Sequence, residues 1–344
     1  MSVRLRPLDQ QVVVITGASS GIGLVTARCA ARRGAAVVVA ARNADALAEL
    51  VTEITGAGGR ALAVVADVGR QEDVARIASA AIAEFGRFDT WINNAGVSIF
   101  GEIPEVSVED MHRVFDTVFW GVAYGCLEAV RHYRERVAAG DGVGGAIVNV
   151  GSLFGDRATP LQSTYASAKN AVHGWTDALR VELQHEGDPI SVTLLHPGRI
   201  DTPYNEHAQS YLEHQPAHIG MIYPPEAVAE AALHAAEHPV RDVFIGSQAK
   251  AVQLLGALFP RVVDKIMQVY MWPTQQDSSR PSRPREESAL HHAGYGLHER
   301  GTHHGWHRSR SWTVEATTHP VRTLAGAGVA GLGVLASRLT TVVR

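Results

Sequence analysis

The stretch that most constrains this chain is an apolar run, Val12-Val13-Val14-Ile15. It passes directly into Thr16-Gly17-Ala18-Ser19-Ser20-Gly21-Ile22-Gly23 and then into the helical pattern of residues 24–33. Consecutive β-branched residues predict a short strand buried on both faces, and the change of period after the glycines predicts strand, turn, helix. Glycines let the backbone turn tightly and approach a ligand closely, while the helix N-terminus offers free N–H groups and partial positive charge to a pyrophosphate. The spacing is Gly-x-x-x-Gly-x-Gly rather than the commoner Gly-x-Gly-x-x-Gly, and a bare glycine turn has the same local pattern, so context must separate the two.

The context is a repeated alternation. Strand patterns over residues 36–41, 61–65, 90–92, 146–150, 191–195 and 242–245 are interleaved with helical patterns over residues 44–55, 71–85, 106–138 (with a break) and 163–185, and Gly58-Gly59 and Gly86 act as stops. This order predicts an α/β fold, a doubly wound parallel sheet with helices on both faces. Asp67-Val68 follows the third strand and Asn93-Asn94-Ala95-Gly96 follows the fourth, both at the carboxyl edge where open α/β sheets bind ligands. The second strand ends in neutral Ala40 and Ala41 followed by basic Arg42, which favours NADP over NAD because a basic side chain there accommodates a 2′-phosphate. The alternative for Arg42 is a solvated surface arginine.

Tyr165 and Lys169 lie four residues apart in a predicted helix, on one face about one turn from each other. A phenol ionises near pH ~10 and becomes a useful base at neutral pH only when a cation stabilises the phenolate. Lys169 is such a cation, and Ser152, thirteen residues before Tyr165, offers a hydroxyl to hold a substrate oxygen. The set suits proton transfer to or from an alcohol or carbonyl. Tyr-x-x-x-Lys alone is a common spacing, and its weight comes from the cofactor half that precedes it.

With these motifs in order, residues 9–248 resemble the short-chain dehydrogenase/reductase (SDR) family, whose Rossmann fold carries a seven-stranded sheet in the order 3-2-1-4-5-6-7. The resemblance implies that Gly17, Ser19, Ser20, Gly21, Ile22 and Gly23 line a pyrophosphate and that Asp67 with Val68 holds the adenine. Asn94, Ala95 and Gly96 would support the cofactor pocket, and Pro197, Gly198, Ile200 and Thr202 would close over the nicotinamide. Tyr165 would be the general acid/base, Lys169 would lower its pKa and hold the nicotinamide ribose, and Ser152 would position the substrate. One position departs from the family pattern: in Asp116-Thr117-Val118-Phe119-Trp120-Gly121, Val118 stands where an asparagine that holds a lysine-linked water is expected. Valine has no hydrogen-bonding side-chain group. Val118→Asn is therefore expected to raise turnover or shift its pH dependence, and a one-residue slip would nominate Thr117.

Residues 203–223 are the expected substrate lid, with Tyr204, Tyr211, Leu212, Met221, Ile222 and Tyr223 among polar residues. Leu153 and Phe154 beside Ser152 favour a lipophilic ketone or secondary alcohol. Since 344 residues exceed one domain of this kind, the expected division is a core over 1–248, an apolar helical extension over 249–272, and a flexible tail over 273–344. In the extension, Val252, Leu255, Leu258, Val262, Ile266 and Val269 recur at helical intervals and are expected to pack on protein, with a membrane surface as the alternative. Tail histidines including His291, His292, His298, His303, His304 and His307 show no compact metal-ligand spacing, and the apolar segment 324–336 is short for a membrane span.

A net charge of −4 gives no basic footprint for nucleic acid. Cys29 and Cys126 read as buried free thiols. With no signal-peptide pattern at residues 1–10, the expected protein is a cytoplasmic, homo-oligomeric oxidoreductase on a small carbonyl or alcohol. The competing expectation is a nucleotide-binding module whose tail engages a partner.

Overall fold

The computed structural model describes residues 3–319 except His218 and His304, so the segment 324–336 lies outside the described residues. Seven strands form one parallel sheet: β1 (Val12–Thr16), β2 (Ala36–Ala41), β3 (Arg60–Val65), β4 (Thr90–Asn93), β5 (Gly145–Val150), β6 (Ile190–Pro197) and β7 (Asp242–Ile245). Their spatial order is β3-β2-β1-β4-β5-β6-β7. The order reverses beside β1, which pairs with β2 on one side and β4 on the other, and this opens a crevice at the carboxyl edge.

Both faces of the sheet are covered, which is why its strands are runs of Val, Ile and Ala rather than alternating patterns. On one face α1 (Gly21–Arg32) and α2 (Ala44–Gly56) cover Val13, Ile15, Val37 and Val39 with Leu24, Leu47 and Leu50. On the other, α3 (Gln71–Phe85), α5 (Gly121–Ala138) and α6 (Ser163–Glu186) cover Val12, Val14, Val38 and Ile147 with Ile77, Val122 and Leu183. The Asn43 side chain caps α2 by accepting the Ala46 N–H at 2.9 Å. The expected break in residues 106–138 is real: α4 (Val108–Phe115) joins α5 through a widened π-helical turn, Asp116–Trp120. One core helix, α7 (Pro225–Glu237), was not among the predicted segments; it packs on α1 with Val228 and Leu233.

The extension departs from expectation. In α8 (Ser247–Leu258), α9 (Pro260–Ile266) and the π-helical turn Met267–Met271, the packed residues are Val263, Met267 and Met271, which join an apolar cluster around Tyr165. Of the predicted stripe, Leu255, Leu258, Val262, Ile266 and Val269 are exposed, and the Val252 side chain lies outside what the structure describes. The segment is apolar at so many positions that periodicity alone could not pick its buried side.

The predicted flexible tail is also corrected for its described part. Gln276–Pro281 pairs antiparallel with His214–Pro216, Trp306–His307 pairs parallel with Met221–Ile222, and α10 (Trp312–Thr318) packs on β7 and α7. These contacts run largely through backbone groups, which any residue carries, so polar composition did not forbid them. Among the described residues no helix is long and apolar enough to cross a membrane.

Candidate active site

Ser152 follows β5 with extended backbone, and its hydroxyl accepts the Phe154 N–H at 3.1 Å, capping a one-turn helix, Leu153–Asp156. Tyr165 and Lys169 project from the first two turns of α6 into the same cavity, and both are buried. The Tyr165 phenol is hydrogen-bonded to Ser152 and to Tyr204. Burial pushes this phenol above its ordinary value, and those two hydrogen bonds pull it back. Lys169 Nζ donates to the Val150 carbonyl at 2.6 Å and stands 5.8 Å from the Tyr165 ring centroid. Burial lowers its pKa to about 8. The Lys169 hydrogen bond goes to the β5 backbone, and burial sets the direction for both groups.

Behind Ser152 lies a buried polar chain absent from the sequence reading. The Ser152 N–H donates to His173 Nε2 at 3.3 Å, His173 Nδ1 faces Asp156 at 3.3 Å, and His196 Nδ1 meets the other Asp156 oxygen at 2.8 Å. Burial would raise the Asp156 carboxyl, but the two histidines hold it down at about 2. His173 lies one turn beyond Lys169, a spacing that gave the only available signal.

The turn after β1 is a cradle that side chains would fill. Gly17 (φ +68°) and Gly21 (φ +51°) occupy the left-handed region, and a Cβ on Gly17 would stand 2.7 Å from Ala95 Cα. Asn94 Nδ2 braces the turn by donating to the Thr16 carbonyl at 2.9 Å and the Gly17 carbonyl at 3.3 Å. Ser20 at the start of α1 makes no side-chain cap, so no hydroxyl blocks the anion-favouring helix end. This close-approach turn fits a pyrophosphate. Gly23 differs from expectation, because it faces inward: a Cβ there would stand 2.2 Å from the Gly17 carbonyl oxygen, so its role is helix-to-loop packing and not lining.

Ser19, Ser20 and Ile22 line the cavity together with Arg42, Asp67, Val68, Ala95, Gly96, Pro197, Gly198, Ile200 and Thr202. The Asp67 carboxylate, expected at the adenine, is engaged by Arg113 at 2.6 Å and by the Gly69 N–H at 3.0 Å. Arg42 donates to the Leu290 carbonyl at 3.0 Å and to the Ala289 carbonyl, far along the extension. Burial lowers its pKa from the usual arginine value. Val118 is fully buried in the apolar cluster with Val97, Ile99, Val114 and Leu290. Thr117 lines the cavity instead, with a buried hydroxyl that lacks a hydrogen-bond partner.

The lid region contains one helical turn, Tyr204–His207, and otherwise short extended pieces. Tyr204 stacks edge-on against Tyr165 with ring centroids 5.4 Å apart. The lining residues Ala289, Ala293, Gly294 and His207 had no signal in the sequence.

Comparison with known proteins agrees with this geometry. A family model described as short chain dehydrogenase matches residues 11–212. An uncharacterized oxidoreductase, YxnA of Bacillus subtilis, is 62% identical over 331 residues, covering 96% of this chain and 91% of that protein, so the likeness takes in most of the extension. Cyclohexanol dehydrogenase of an Acinetobacter species is 36% identical over 228 residues, covering 64% of this chain and 86% of that enzyme. The crystal structure of a short-chain dehydrogenase/reductase from Burkholderia phymatum, in complex with NAD, superposes with a TM-score of 0.65 at 25% identity, covering 76% of this chain and 96% of the other. The chain belongs to the short-chain dehydrogenase family and is an oxidoreductase acting on CH–OH groups.

Proposed function

We propose that the protein interconverts a lipophilic ketone and its secondary alcohol with NADP(H), Tyr165 serving as general acid/base. The observation that carries this reading is the convergence of Ser152, Tyr165 and Lys169 on one cavity with the glycine turn after β1. The bound nicotinamide supplies or takes the hydride. In the reducing direction Ser152 donates a hydrogen bond to the carbonyl oxygen, and the Tyr165 O–H transfers its proton to that oxygen as charge develops. In the oxidising direction the phenolate accepts the alcohol proton, and the ammonium of Lys169 on the same helix face favours the phenolate. Phe154, Val97 and Tyr204 give the cavity apolar walls near the phenol, which supports a lipophilic substrate, as does the likeness to an enzyme of an alicyclic alcohol.

NADP is the cofactor we assign because β2 ends without a carboxylate while Arg42 and Arg113 bring two guanidinium groups to the adenosine end, joined through the Leu290 carbonyl. Trp120 at the end of the π-helical turn, Leu127 on α5 and Val181 on α6 are exposed and support a homo-oligomer. The free thiols Cys29 and Cys126 support a cytoplasmic location, although Cys29 is only half-buried.

The test is a panel of alicyclic ketones and secondary alcohols assayed with NADPH and NADH, for the wild type and Tyr165→Phe. The expected loss of turnover in the variant is about 100-fold or more, the contribution of a positioned acid/base, with cofactor affinity retained. Equal turnover of the two proteins would overturn the assignment of Tyr165, and a preference for NADH would overturn that of NADP.

A further inference from the structure

The dinucleotide cavity has a wall that the family core does not supply. Ala289, Ala293 and Gly294 line it together with the glycine turn, Arg42 and Asp67. We propose that residues 288–298 are a cofactor-binding strap that closes over the adenosine side of the site and must open for the dinucleotide to exchange. The proposal rests on the dinucleotide reading of the cavity given above.

The strap is tied at both ends and in the middle to elements of the proposed cofactor site. The Ala289 N–H donates to the His207 carbonyl at 2.8 Å. Arg42 donates to the carbonyls of Ala289 and Leu290, and Arg113 Nε donates to the Leu290 carbonyl at 3.1 Å. Asn43 Nδ2 donates to the Gly294 carbonyl at 2.9 Å. At the far end the Leu297 N–H donates to the Ser19 carbonyl at 2.8 Å, and the Gly21 N–H donates to the His298 carbonyl at 2.9 Å. That last bond occupies a backbone donor at the start of α1, on the turn that fits a pyrophosphate.

Two features distinguish the strap from an adventitious surface turn. The side chain of Leu290 is fully buried in the apolar cluster that includes Tyr165 and Val118, so the crossing is anchored. Leu297 holds φ +63°, a left-handed conformation that a non-glycine residue keeps only where its surroundings impose it. Against these anchors, four of the latching acceptors are neutral carbonyls, those of Ala289, Leu290, Gly294 and His298. Water can replace a neutral carbonyl as partner when the strap lifts, and buried Asp110, which His291 Nε2 meets at 2.7 Å, keeps the Gln209 amide and the Tyr211 hydroxyl as donors. An anchored segment with exchangeable latches is suited to gating release, a step that often limits turnover when a loop closes over a bound cofactor.

Gly296 makes the strap testable, because a Cβ there would stand 2.2 Å from Ala46 Cβ on α2 and 3.3 Å from the Ser19 carbonyl oxygen. Gly296→Val therefore keeps the strap from seating while leaving every residue of the core unchanged. The experiment measures NADPH and NADH dissociation by stopped-flow nicotinamide fluorescence for the wild type and Gly296→Val. Hydrogen exchange of the wild-type peptide spanning 288–298 is followed with and without each cofactor. Dissociation at least tenfold faster from the variant, with wild-type exchange slowed by cofactor, is the expected result. Equal dissociation rates from both proteins, or exchange in 288–298 indifferent to a tightly bound cofactor, would overturn the strap alone. Failure of the wild type to bind either nucleotide would overturn the dinucleotide reading and the strap with it. The exchange measurement uses the unmodified chain and so stands even where the variant folds poorly.

Discussion

Val118→Asn tests where the widened turn Asp116–Trp120 aims its side chains. Sequence resemblance puts an asparagine at this position and makes the substitution a repair. The structure buries Val118 completely among Val97, Ile99, Val114 and Leu290, whereas the neighbouring Thr117 lines the cavity. Full burial of a valine is worth about 1.5 kcal/mol, the low end for large apolar side chains, and asparagine forfeits most of it. The amide would also meet no partner in that cluster, at a cost of about 1–3 kcal/mol. The two effects sum to roughly 3 kcal/mol, and at about 2–4 °C per kcal/mol for a domain of 150–250 residues the melting midpoint should fall by about 6–12 °C. Asparagine and valine are close in volume, so no large cavity forms to add to this. The assay is thermal unfolding of both proteins beside turnover measured across pH. A midpoint within about 2 °C of the wild type, together with faster turnover, would refute the placement of Val118 in the apolar cluster.

Two further outcomes follow from particular groups. Thr117→Val removes a buried hydroxyl that has no partner, so stability in urea should rise by about 1 kcal/mol; turnover should fall, because Thr117 lines the cavity, and unchanged turnover would show its hydroxyl idle. His132 and His207 are both held at about 4 chiefly by burial, and His132 Nε2 accepts the Phe88 N–H at 3.1 Å in its neutral form. Both folded-state values are depressed, so the stability they contribute is present above their ordinary value near ~6.5 and is lost as pH falls toward 4; a urea midpoint that stays flat from pH 7 to pH 4.5 would contradict this.

The sheet and the core of the site were legible because their signals are local. β2 and β7 have the bounds the sequence predicted, since runs such as Ala36-Val37-Val38-Val39 allow few other structures and each ends at a polar or glycine-bearing edge. Ser152, Tyr165 and Lys169 were legible because strand end and helix turn fix their spacing before any tertiary contact forms. α7 was not, because its buried face is mostly alanine and presents little contrast with its exposed face. Gly23 was misplaced for a related reason: a glycine needed for packing and a glycine needed for a ligand look alike in sequence, and only the 2.2 Å approach of its Cβ position to the Gly17 carbonyl separates them.

Arg42 is where legible and illegible features meet. Its basic character at the end of β2 was readable, but its partners lie about 250 residues away and are backbone carbonyls, which carry no signature in a sequence. The same guanidinium is thus proposed both to latch the strap and to receive a 2′-phosphate. An ionised phosphate makes stronger, shorter hydrogen bonds with a guanidinium than a carbonyl does, so it can share or displace those bonds. Arg42→Ala separates the two roles because NADH depends only on the latch. The expected outcome is faster release of both cofactors through the lost latch and a further loss for NADPH of about tenfold or more, the worth of one charge-assisted contact at about 1.4 kcal/mol or above. Dissociation constants for NADPH and NADH with each protein measure it. A loss confined to NADPH would remove Arg42 from the latch, and an equal loss for both would remove it from the phosphate.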